Sequence, residues 1–167
     1  MDHALRQRWF ESAETWRFLA LRFVPVLAVL NLAWEIVQLP AYTIWANGSP
    51  GYIAFAVAHC TAGDVLIGLA TLAIALVATR AGAIAAWRVG AIGVVATLLA
   101  VGYTVYSEWV NVEIRGSWAY SELMPRLPVI GTGLAPLAQW IVIPGLALTI
   151  AMSWHRRAAR RRDDRRA

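Results

Sequence analysis

Residues 53–79 read IAFAVAHCTAGDVLIGLATLAIALVAT, an apolar run in which only His59, Cys60 and Asp64 titrate. A bilayer is crossed by about 20 apolar residues in a helix, and by about 10 in a barrel strand. The run is far too long and too evenly apolar for a strand, and lipid leaves no other way to pair the backbone. It reads as a membrane helix. Three further runs share its character. Residues 18–39 are interrupted by Arg22, Asn31, Glu35 and Gln38, and residues 89–107 end at Glu108. Residues 136–154 carry Gln139 and Pro144. The expected fold is therefore all-α, an integral membrane four-helix bundle.

Composition agrees. The 167 residues are 59% hydrophobic and 15% charged, with a mean hydropathy of +0.55. Soluble domains average about 25% charged. One cysteine excludes an internal disulfide and any C-x-x-C redox or zinc motif. The formal charge of +5 comes from fifteen arginines and no lysine. Their placement argues for orientation and against nucleic acid. Thirteen lie in residues 1–22, in the 80–88 connection or in the tail after residue 155, whereas Arg115 and Arg126 alone lie on the opposite side. Arginine-rich sides stay cytoplasmic. Both termini are thus expected in the cytoplasm of a bacterial cell, across the inner membrane. The tail of residues 155–167 is expected to meet anionic headgroups.

Residues 1–17 read as a cytoplasmic segment, with Leu5, Trp9 and Trp16 suggesting a short interfacial helix over 4–17. The first apolar run is too long for a signal-peptide core, and no A-x-A-like site follows it. Residues 18–154 form the transmembrane domain. Residues 108–135, EWVNVEIRGSWAYSELMPRLPVIGTGLA, are too long and aromatic for a plain connector. They are expected to cap the outer end, with a helical piece near Tyr120–Met124. Trp87, Trp154, Trp109 and Trp118 are expected in the interfacial aromatic belts.

Ionisable groups inside a membrane segment are functional hypotheses by default. The topology brings them to one layer. Asn31, Glu35 and Gln38 repeat at helical spacing, as do Thr104, Glu108 and Asn111. His59 and Asp64 of the second run, and Gln139 and Trp140 of the fourth, fall at the same outer depth. Gly63 and Gly68 are expected to permit close helix approach. Glu35, Asp64, His59 and Glu108 are the candidate catalytic residues. Asn31, Trp34, Gln38, Tyr103, Gln139 and Trp140 are the candidate substrate-binding residues, Trp34 and Trp140 as aromatic faces that stabilise a cation. Cys60 reads as a packing residue. No H-x-x-x-H, H-x-x-E-H or E-x-x-H pair occurs, so neither a metal nor another cofactor is expected.

Acid–base chemistry on a hydrophobic substrate fits this set. A carboxyl in an apolar site keeps its proton at neutral pH and can deliver it to an alkene or epoxide. Neighbouring carboxylates and aromatic faces then hold the cation while a second base removes a proton. A pair of intramembrane acids also allows a hydrolase. A non-enzymatic module that binds a lipid or pigment, or steadies a larger membrane complex, is the alternative, and homo-oligomerisation stays open.

The segments NLAWEIVQLP, FAVAHCTAGDVLIG and QWIVIPGLAL resemble the emopamil-binding protein (EXPERA) family, which includes a sterol isomerase and the sigma-2 receptor. Asn31-x-x-x-Glu35 stands where the isomerase has His-x-x-x-Glu, and Glu35 precedes Gln38-Leu39-Pro40. Trp140 to Gly145 matches the W-x-x-x-P-G of the last helix. Small fungal membrane terpene cyclases carry an N-x-x-W-E-like segment similar to Asn31, Trp34 and Glu35. The resemblance implies isomerase or cyclase chemistry on an isoprenoid or sterol-like lipid. In it Glu35 is the proton donor, His59 or Asp64 its partner, and Trp140 the cation stabiliser.

Overall fold

The computed structural model describes residues 8–164. His3, Leu5 and Arg6 of the expected interfacial segment, and Arg165 and Arg166 of the tail, lie outside the described residues. Four long helices carry the chain across the membrane: α1 (Ala13–Ala41), α2 (Pro50–Ala78), α3 (Val89–Ile114) and α4 (Leu134–Asp163). No strand occurs among the described residues, only the isolated bridges Tyr42–Tyr120 and Arg126–Gly133. The protein is an all-α, multi-pass membrane bundle.

The helix ends differ from the apolar runs because capping, not hydropathy, sets them. A one-turn 3₁₀ helix at Trp9–Glu11 is the described part of the N-terminal segment. Ser12 Oγ then accepts from the Thr15 amide at 3.4 Å, so α1 begins at Ala13, five residues before the apolar run. Ser49 caps α2 through the Tyr52 amide, with Pro50 in the first helical position. The last helix continues through Trp154 into the arginine-rich tail.

Two helices widen locally into π turns, at Leu19–Phe23 in α1 and Trp109–Ile114 in α3. The first has a local cause. Pro25 has no amide to offer the Leu21 carbonyl, and Val24 reaches back to Leu19 instead.

The helices pack in a ring, α1 beside α2, α2 beside α3, α3 beside α4, and α4 closing on α1. The end bearing the two termini is a tight apolar core. Phe18, Phe23 and Leu27 of α1 meet Leu72, Ala75 and Leu76 of α2 there, with Ile92 and Ala96 of α3 and Ile143, Ala147, Leu148 and Ala151 of α4. The short connection between α2 and α3 plugs it with Ile84 and Trp87. Trp87 is thus a core residue and not a lipid-facing belt residue. Its indole donates to the Gly82 carbonyl, and its ring meets Phe18 edge-on. Trp154 and Trp109 are exposed as a belt requires, whereas Trp118 turns half inward.

Gly68 makes the close approach its residue type suggested. A Cβ there would lie 2.6 Å from Leu27 Cδ2. Gly63 does not, since a Cβ there meets nothing within 4 Å. Gly68→Leu should therefore lower stability by about 1–3 kcal/mol through overpacking. Gly63→Ala should leave it unchanged or raise it by up to about 1 kcal/mol through helix propensity. Thermal unfolding of both variants in mild detergent checks the difference.

Candidate functional site

The opposite end of the bundle is built from polar side chains. Gln139 of α4 sits at its centre, almost fully buried. Its Nε2 lies 2.8 Å from Asn31 Oδ1, 2.9 Å from Asp64 Oδ2 and 3.3 Å from Glu35 Oε1. Two amide hydrogens thus serve acceptors on two other helices. Gln38 Nε2 donates to Glu35 Oε1 at 2.7 Å and more weakly to Gln139 Oε1 at 3.4 Å. Asn31 anchors itself by donating to the Leu27 carbonyl one turn earlier. The carboxyl groups of Glu35 and Asp64 thus stand side by side, both accepting from the one Gln139 amide nitrogen.

This network forms one wall of a cavity of about 500 Å³. Of the candidate residues, Glu35, Gln38, His59, Asp64, Tyr103, Glu108, Gln139 and Trp140 all line it. Asn31 does not; it is fully buried behind Gln139 and orients that amide. Trp34 does not either. Its indole donates to the Ala135 carbonyl at 3.2 Å and ties α1 to the start of α4, so it is not a cavity-lining aromatic face. Trp140 is, and it is buried. His59 lies at the cavity edge, exposed, its ring stacked on Phe55 at 5.6 Å. Cys60, read as a packing residue, lines the cavity on the same helical stripe as Ala56, Gly63 and Ile67. Among the described residues no group of three His, Cys, Asp or Glu side chains is placed to hold a metal ion.

Glu108 is separated in role from the other two acids. The Tyr120 hydroxyl donates to its Oε2 and accepts from the Gly133 amide at 3.0 Å. Tyr120 thereby latches the 115–133 segment across the cavity. The expected helical piece at Tyr120–Met124 is instead a turn, because Tyr120 and Ser121 are drawn into extended pairing with the end of α1. Thr43 donates to the Ala119 carbonyl, Ser121 N to Ala41 and Ser121 Oγ to Pro40. Arg126 lies over the Tyr120 ring at 4.9 Å. Tyr42 packs against Tyr120 with ring centroids 5.6 Å apart. Burial raises the pKa of both phenols. For Tyr120 the hydrogen bond to Glu108 adds to the shift, and for Tyr42 the Glu108 charge does. Both stay protonated and able to donate.

Sequence reasoning missed Tyr42, Tyr120 and Trp118 as site residues. A tyrosine in a capping segment gives no period to mark it. Gln38 Oε1 and Trp118 Nε1, in two residues of the lining, are buried away from the cavity surface and without a hydrogen bond.

Tyr120→Phe should strand the Glu108 carboxyl and the Gly133 amide, lowering stability by about 1–3 kcal/mol. Hydrogen exchange should then quicken selectively over residues 118–133. Exchange that quickens evenly along the chain, or not at all, would show that Tyr120 is no latch. Neither a family model, nor a curated protein, nor a solved structure matches this chain, so the chemistry of the site has to be read from its own residues.

Proposed function

We propose that the protein is a cofactor-independent membrane isomerase or cyclase, acting by proton transfer on an isoprenoid, sterol-like or related lipid. One observation carries this reading: two carboxyl groups, Glu35 and Asp64, share the Gln139 amide on the wall of a largely apolar cavity at membrane depth. Water is scarce there, so a proton carried by one of them is available to a carbon base. In the proposed step Glu35 gives its proton to one carbon of an alkene, whose π pair forms the new C–H bond. A cation is left on the neighbouring carbon. Asp64 takes a proton from an adjacent carbon, and that C–H pair becomes the new double bond. The buried Trp140 face and the remaining carboxylate lower the energy of the cation. Gln139, Gln38 and Asn31 hold the two acids in place. The likeness of NLAWEIVQLP and QWIVIPGLAL to the emopamil-binding protein family supports the same chemistry.

A second reading is a lipid- or pigment-binding module. It is favoured by the two amides, Gln38 and Gln139, that already bond the two acids, as in a purely structural polar core. Deuterium separates the two. The protein is reconstituted with lipids from its own membranes and incubated in D₂O, and the extracted lipids are weighed by mass spectrometry. An isomerase leaves deuterium at carbon, and Glu35→Gln and Asp64→Asn each lower that incorporation at least about 100-fold. Incorporation equal in wild type and Glu35→Gln removes Glu35 as the acid. A lipid that co-purifies with no exchange at all supports the binding module.

The membrane is proposed to be the bacterial plasma membrane, with both termini cytoplasmic and the Arg156–Arg161 face of α4 against anionic headgroups. A C-terminal green fluorescent protein fusion should fluoresce, and the matching alkaline phosphatase fusion should be inactive. The reverse result inverts the topology.

A further inference from the structure

The cavity is closed on the sides of α1 and α4. There Gln38, Pro136, Gln139 and Trp140 are buried, and Glu35 and Leu39 are half-buried. Its exposed lining residues lie elsewhere. Tyr52, Phe55 and His59 belong to α2 and Tyr103 to α3, with Ser117 at the cap edge. Phe55 keeps 62% of its surface and Tyr103 46%. A residue that lines a cavity and is also exposed marks the mouth. The mouth therefore runs down the seam between α2 and α3. His59 lies nine residues into α2, about 14 Å along the axis at 1.5 Å per residue. The whole of α2 and α3 qualifies as membrane span, so the lower part of the seam faces acyl chains. Over the end of the bundle the 115–133 segment is bonded to the α1 end, to Glu108 and to the start of α4.

The lining also selects charge. Three carboxyls face the cavity, and no arginine lines it. A phosphate headgroup would meet those carboxyls with no guanidinium to offset them, His59 standing only at the mouth.

We infer that the cavity takes an uncharged lipid, which enters sideways from the membrane leaflet on the cap side through the portal between α2 and α3. The portal does not depend on the proton-transfer reading, and its test uses no turnover. Cys60 is the only cysteine in the chain and lines the cavity, so its labelling reports access. The protein is placed in lipid nanodiscs and treated with N-phenylmaleimide, which dissolves in the bilayer, or with a sulfonated maleimide, which does not. Denatured protein gives the full extent of labelling. The expected result is that the apolar reagent labels Cys60 at least about tenfold faster than the sulfonated one. Gly63→Leu, whose side chain enters open space one turn below Cys60, should slow this labelling, and Tyr103→Ala should speed it. Dodecanol should protect Cys60, whereas dodecyl phosphate should protect it at least several-fold less. Equal rates for the two reagents would place the entrance on the aqueous side and overturn the portal. So would labelling by neither, or labelling unmoved by both variants. Equal protection by the alcohol and the phosphate would overturn the ligand class while leaving the portal standing.

Discussion

The cap-side half of the bundle depends on the carboxamide of Gln139. In lipid a polar side chain has no water to fall back on, and leaving one unpaired costs several kcal/mol. Asn31 and Glu35 on α1 and Asp64 on α2 each need a partner, and Gln139 reaches all three from α4. A neutral amide serves here where an arginine would bring a full charge into the membrane. Single interhelical hydrogen bonds in membranes average well under 1 kcal/mol. The effect of this one comes from uniqueness, since no shift of α4 by a residue keeps the same three acceptors in reach.

The two ends of the bundle divide the labour. Toward the termini, apolar side chains interdigitate and Gly68 lets α1 and α2 approach closely. Toward the cap the helices separate and the space between them is a cavity. The rigid end fixes where the helices leave one another. The polar network then sets how far they part, so the acids keep their positions although one side of their cavity is empty space.

The 115–133 segment completes the arrangement by bonding to three separate elements. Tyr120 links it to Glu108 on α3 and to Gly133 beside α4, and Ser121 and Thr43 join it to the end of α1. Glu108 thereby holds the cap, while Glu35 and Asp64 are held by Gln139. Closing the axial end leaves the α2–α3 seam as the route along which apolar surface leads inward.

The sequence by itself determined the number of membrane helices, their all-α class and the layer in which their polar groups meet. It could do so because apolar length and helical spacing are local properties, readable one helix at a time. The stripe of Asn31, Glu35 and Gln38 and the depth of Asp64 and Gln139 followed from position alone. Only the tertiary structure decided who bonds to whom. It turned Trp34 from the cavity to the Ala135 carbonyl and Trp87 into the core, and it gave Glu108 to Tyr120. Those outcomes depend on how neighbouring helices are rotated and on where a segment without periodicity folds back. Neither is written in the spacing of any single run.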